Sequence, residues 1–252
     1  MNKTKPKIFS RLLLWELEGN LTPPFLSLII ASAIIAVLSQ QSPYPDQLSY
    51  VNLYFGAINL TFFLTFVACI LFSHSFAGSF GRGELKRMLS YPVKRWQVFL
   101  SKVMALNIIL FSIYAVVYAL NFYLNPISLT EPLFYVSLFV IFLQLLMVST
   151  VSVGVSMITK SELISIFATF LLFLGLDNAL DYTSIFYGVF SSEGRFRYIF
   201  GYFEQITRID SWFFVDPVTL EQVLVSMIVP FVIAVVVLLA SLIYFTRTLE
   251  VD

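Results

Sequence analysis

Leu133 to Ile158 reads LFYVSLFVIFLQLLMVSTVSVGVSMI, 26 residues without one charge. A helix needs about 20 mostly apolar residues to cross the hydrocarbon core of a bilayer. This run exceeds that length, so it predicts a tilted span. The rest of the chain has the same character. Of 252 residues, 59% are hydrophobic and only 12% are charged, with 27 phenylalanines. A water-soluble domain carries about 25% charged residues, so this chain lacks the surface that water requires. A disordered chain, a nucleic-acid binder built on a basic patch and an ordinary cytosolic enzyme are excluded. One cysteine, Cys69, and one histidine, His74, allow neither an intrachain disulfide nor a Cys/His metal cluster.

Working outward, five more stretches have the length and apolarity of spans. They run from Phe25 to Ser39 (extendable to Gln41), Leu53 to Ser75, Val103 to Leu124, Leu163 to about Asp177, and Val223 to Phe245. The expected fold is therefore an all-α integral membrane protein with six transmembrane helices. Pro230 is tolerated in the last span because neighbouring helices satisfy the freed carbonyl, and it predicts a kink. With the N-terminus inside, 12 of the 15 Lys and Arg residues fall on the cytoplasmic side; only Arg195, Arg197 and Arg208 stay outside. That bias places both termini in the cytoplasm.

Three segments between spans hold the specificity. Ile8 to Gly19 places Ile8, Phe9, Leu12, Leu13, Trp15 and Leu17 against Lys7, Arg11 and Glu18. This fits an interfacial amphipathic helix with Arg11 near headgroups and Trp15 as anchor; the alternative is a cytoplasmic extension of the first span. The loop from Phe76 to Lys102 carries six basic residues, with Leu85, Met88 and Leu89 before Pro92 and Trp96, Phe99 and Leu100 after it, at helical spacing. Such a helix either buries against a partner or lies on anionic lipid. The outer segment, Asn178 to Gln222, is aromatic throughout, and its two apolar pieces are too short to span. They predict re-entrant or interfacial helices.

At the loop, the chain resembles the membrane subunit of type-2 ABC transporters, the exporter-type permeases. That family joins its second and third spans by a glycine, a leucine-rich stretch, a serine, Pro-Val, a basic residue and an apolar run closing on Lys. Gly83, Leu85, Met88-Leu89, Ser90, Pro92-Val93, Arg95, Phe99-Leu100 and Lys102 stand at those places in order. Glu84 follows the glycine where the family usually has Thr, and Ser79-Phe80 stand upstream where the family usually has a Glu. The ending Tyr244-Phe-Thr-Arg-Thr-Leu249 is also similar to the family's basic terminus.

The resemblance implies a domain plan of cytoplasmic N-terminus and interfacial helix (1–24), a transmembrane domain (25–246, with coupling loop 76–102 and outer segment 178–222) and a cytoplasmic tail (247–252). It implies a permease for ATP-driven export of an unidentified substrate, non-catalytic itself, in a bacterial or archaeal cell membrane. The partners it implies are two copies of an ABC ATPase and a second permease chain, identical or related, in the lipid bilayer and without nucleic acid. No cofactor is expected in this chain; ATP and Mg belong to the ATPase. No G-x-x-x-x-G-K-[ST] phosphate loop occurs, in keeping with a separate motor. The coupling interface would comprise Gly83, Glu84, Leu85, Arg87, Leu89, Ser90, Pro92, Val93, Lys94, Arg95 and Trp96, with a smaller contact at 159–162.

Candidate path-lining residues are Asn59 and Thr65 in the second span, Asn107 in the third and Gln144 in the fourth; each could instead make an interhelical hydrogen bond. His74 reads as a hydrogen-bonded interfacial histidine rather than a pH sensor. Asp177 and Asp181 read as a solvated helix end rather than a cation site. The rival class is a secondary carrier or channel not coupled to ATP. It calls for membrane-buried acids or paired broken helices, and neither is visible.

Overall fold

The computed structural model describes residues 5–38, 49–84, 93–124, 131–179, 185–207 and 217–247, and every regular element among them is a helix. In chain order these are α1 (Lys5–Asn20), α2 (Pro23–Leu38), α3 (Ser49–Ser73), α4 (Arg95–Leu124), α5 (Pro132–Thr159), α6 (Glu162–Ala179), α7 (Ile185–Phe190), α8 (Ser192–Thr207) and α9 (Leu220–Arg247). After Ser73 the α3 rod continues through a π-helical turn, His74–Gly78, and one further turn, Ser79–Gly81.

Among the described residues, four stretches are long and apolar enough to cross a membrane: 51–81, α4, α5 and α9. The pair α1–α2, bent by 70°, makes a fifth when counted as one. The sequence predicts six separate crossings, and the difference lies in α2 and α6. The described part of α2 covers 16 residues. α6 has 18 residues. The bend between α1 and α2 follows from local chemistry. Pro23 and Pro24 occupy the first turn of α2, where a missing N–H costs nothing. Thr22 O accepts from the N–H groups of Phe25 and Leu26, while Asn20 closes α1 by donating to Glu16 O at 2.7 Å. Pro230 stands inside an unbroken α9.

α5 is the central rod, packed against α3 and α9 on two sides and against α4 and α6 as well. Lipid tails are as apolar as leucine, so close packing and interhelical hydrogen bonds hold such helices together. Both are present. A Cβ on Gly154 of α5 would sit 3.3 Å from Ser241 Oγ, so small residues let α5 and α9 approach. Ser73 of α3, Ser152 and Ser156 of α5 and Ser165 of α6 share hydrogen bonds of 2.6–3.2 Å. Phe76, Phe99 and Phe245 meet edge-on and tilted, joining the π turn after α3 to α4 and α9.

α7 and α8 form a hairpin broken at Ser191 and inserted among α3, α5 and α9. Gly194 is required at its corner, because a Cβ there would collide with the Tyr187 backbone, which cannot yield as a flexible side chain can. Two short helices thus occupy the segment between the fifth and last predicted spans.

Candidate functional site

The loop predicted to carry the coupling helix begins where α3 ends. Gly83 adopts φ 68°, the left-handed region that glycine enters without strain, and its N–H bonds Phe80 O at 3.1 Å. Arg82 then grips Glu84, Nε to Oε1 at 2.9 Å and a terminal nitrogen to Oε2 at 3.3 Å, and Ser79 Oγ also donates to Oε2. The hydrogen bond from Arg82 holds the Glu84 carboxyl below the usual glutamate range, against a smaller opposing effect of burial. Leu85, Arg87, Leu89, Ser90 and Pro92 lie outside the described residues. The chain resumes at Val93. Lys94 N–H donates to Gln97 Oε1 at 3.2 Å, half of a capping box that starts α4. Lys94, Arg95 and Trp96 are exposed.

α1 is strapped to this start of α4. Phe9 stacks on Trp96 with ring centroids 6.4 Å apart. Deeper, Glu16 and Lys102 form an ion pair at 3.2 Å with both side chains buried. Two charges removed from water are costly unless paired, so this contact fixes the register of α1 on α4. Arg11 and Trp15 of α1 are exposed.

The π-helical turn places His74 where it touches both the segment after α3 and the α5–α6 turn. Its Nδ1 is 2.8 Å from Glu162 Oε1, at the start of α6, and its Nε2 is 3.2 Å from an Arg82 nitrogen. Arginine only donates, so Nε2 accepts and the ring proton sits on Nδ1, donated to Glu162. Arg82 also reaches the second Glu162 oxygen at 3.8 Å. A Cβ on Gly78 would lie 2.6 Å from Glu162 Oε2 and 2.9 Å from Arg82, so only glycine leaves room for that meeting. The turn before Glu162 is set by Lys160, whose φ of 49° ends α5 and whose N–H bonds Ser156 O at 3.0 Å. Phe25 of α2 packs against the imidazole with centroids 4.7 Å apart. The result is one knot joining the end of α3, the loop after it and the α5–α6 turn.

Sequence reasoning recognised His74 as hydrogen-bonded and interfacial but missed Glu162, 88 residues away. No local pattern signals a pair at that separation. The four polar residues singled out inside spans are placed as follows. Thr65 and Gln144 are buried and bonded to each other, Nε2 to Oγ1 at 3.1 Å. Asn107 is half-buried and donates to Val103 O at 2.8 Å. Asn59 is half-buried on α3. Gln144 also accepts from Arg195 of α8, a side chain assigned from sequence to the outer loop but fully enclosed here. Asp177, beside it, accepts from Ser192 N–H at 3.2 Å; Asp181 lies outside the described residues.

A search of curated proteins finds no match. A family model described as ABC-2 family transporter protein matches residues 22–175, from the turn before α2 into α6 and across the segment 76–102. That is more than half of the chain, and it is the part that builds the inner knot. The chain is therefore a member of the ABC-2 transporter family, the membrane permease subunit of a type-2 ABC transporter.

Proposed function

We propose that this permease exports its substrate with energy from a separate ABC ATPase that grips the loop at 76–102. Two ATPase copies and a second permease chain, with ATP and Mg bound only by the ATPases, complete the transporter in this reading. Gly83 to Trp96 forms the coupling element. Leu85, Leu89 and Val93 make the apolar contact, and Arg87, Lys94 and Arg95 set orientation through acidic groups at the rim. α2 and α6 complete six crossings with both termini cytoplasmic.

The observation that carries this reading is the knot of Arg82, His74 and Glu162. Arg82 stands immediately before the coupling element, and its guanidinium is tied to α3 through His74 and to the α5–α6 turn through Glu162. A push on the loop thus reaches three membrane helices through charged contacts instead of flexing a free turn. Closure of the ATPase pair moves these helices as a unit, a rigid-body transition about a packed interface. The translocation path then lies between two permease chains, with Asn59, Thr65, Asn107 and Gln144 as its candidate polar residues.

The test is co-purification. The chain is expressed with a cognate ABC ATPase, and Arg87→Glu, Leu89→Asp and Arg95→Glu are combined. Loss of the complex and of ATPase stimulation is expected. An intact, stimulated complex would refute the assignment, and so would unimpaired transport in the absence of any ATPase.

A further inference from the structure

Beneath α1 lies a cavity of about 670 Å³, large enough for a small ligand. Its walls carry Trp15, Glu16, Phe25, Arg82, Glu84 and Lys102. Two features specify what fits. The four charged side chains sum to zero, which favours a zwitterion over a simple anion. Among them, Glu16 and Lys102 are only 4% and 6% exposed. Glu16 Oε1 lies 3.2 Å from the ammonium of Lys102 but receives no hydrogen bond. A buried acceptor left open is costly, and it asks for a donor. The cavity therefore suits a group with N–H bonds at one end and negative charge at the other, the latter met by Lys102 and Arg82.

A second cavity, about 550 Å³, runs along the same two helices farther from α1. It is wholly apolar, bounded by Ile30, Ala33 and Ile34 of α2 and by Val116 and Leu120 of α4. Lys102 and Leu120 are separated by about five helical turns, so they point from the same face of α4. From Phe25 to Leu38, α2 rises about 20 Å, the depth of one leaflet with its headgroup layer. A charged chamber at interface level and a greasy groove at tail level thus share the α2–α4 seam.

We propose that this seam holds one phospholipid with a primary-ammonium headgroup, its ammonium on Glu16, its phosphate on Lys102 and Arg82, and one acyl chain in the α2–α4 groove. Trp15, at the mouth, lies over the headgroup. A phosphatidylethanolamine satisfies Glu16 Oε1; a phosphatidylcholine of the same length cannot, because its quaternary nitrogen has no N–H. A phosphatidylglycerol adds net negative charge beside Glu16 and Glu84. The inference requires only that the chain sits in a membrane; it holds whether or not an ATPase drives transport.

The test is native mass spectrometry of the purified full chain, titrated with lysophosphatidylethanolamine, lysophosphatidylcholine, lysophosphatidylglycerol and water-soluble phosphoethanolamine. The ethanolamine lipid is expected to be retained about tenfold more than the other two lipids, the ratio that one charge-assisted hydrogen bond supports. Glu16→Gln, which keeps the shape and removes the charge, should collapse that preference. Val116→Trp, an exposed substitution that fills the groove without touching the ion pair, should reduce retention of all three lipids together. Equal retention of the three headgroups by the unmodified chain overturns the proposal. So does a preference that survives Glu16→Gln, or retention untouched by Val116→Trp. Binding of free phosphoethanolamine as firmly as of the lipid also overturns it, since a headgroup site without a tail is a different site.

Discussion

The guanidinium of Arg195 on α8 is hydrogen-bonded to the side-chain oxygen of Gln144 on α5, and both residues are buried. Arg195 also donates to Val189 O at 2.8 Å, while Gln144 passes on to Thr65 of α3 at 3.1 Å. One arginine thereby pins the α7–α8 hairpin to the two helices that form the middle of the bundle.

The two ends of that bond are not equivalent. Gln144→Leu leaves a buried cation short of an acceptor, a loss of about 3 kcal/mol. Arg195→Met leaves neutral acceptors unmet, at about 1–2 kcal/mol, and removes the buried charge. Gln144→Leu should therefore lower the thermal unfolding midpoint in detergent more than Arg195→Met does. The reverse order would mean that the arginine is satisfied by Asp177 instead.

The broad architecture was legible because apolar length is a local property. Leu133 to Ile158 announces its own span, and Gly83 to Lys102 reads as a loop motif within 20 residues. What was not legible depends on distance along the chain. Arg195 sits between Glu193 and Arg197 in a segment with no span-length run, so charge counting sends it outside; only the fold reveals that the hairpin turns it inward. His74 and Glu162 become partners because a π turn rotates the end of α3 toward the α5–α6 turn. The bend between α1 and α2 is likewise structural: it falls just before Pro23 and Pro24 and makes the preceding apolar residues a separate element.

The Glu16–Lys102 pair carries a second stability prediction. Each single change, Glu16→Leu or Lys102→Met, strands the other charge in a buried site and should cost about 3 kcal/mol. The double change removes both charges and should recover most of that loss. Thermal unfolding of the four proteins gives the coupling directly. If the double variant is as unstable as the sum of the singles, the two side chains act independently and α1 is held by Phe9 and Trp96 alone.

Glu84 gives a pH dependence with a definite sign. Its carboxyl is held below the ordinary value, first by the hydrogen bond from Arg82. A depressed folded pKa contributes stability that is present above the unfolded value, about 4.3, and is lost as pH falls through the folded one. The tether at the start of the coupling loop should thus persist below the pH at which a free glutamate protonates. A carbon-13 titration of the Glu84 carboxyl should show a midpoint under the free-glutamate value, and Arg82→Gln should move it upward. An unchanged midpoint in that variant would remove Arg82 as the cause.

Gly78 tests whether the inner knot transmits motion. Alanine there brings a methyl carbon to 2.6 Å from Glu162 Oε2 and 2.9 Å from Arg82. Both obstacles are ends of flexible side chains, so they can swing aside and the helix can still fold. Moving them breaks the link between Arg82, Glu162 and His74 while leaving unchanged the loop surface proposed to meet an ATPase. Gly78→Ala should therefore preserve expression and co-purification with the ATPase but uncouple the two activities, lowering transport per ATP hydrolysed about tenfold, as a lost interaction of about 1.4 kcal/mol would. Glu162→Gln should do the same more mildly, since the amide still accepts from His74. Transport and hydrolysis that fall together in Gly78→Ala would show that the glycine serves only assembly, and the lever would have to be sought in the loop itself.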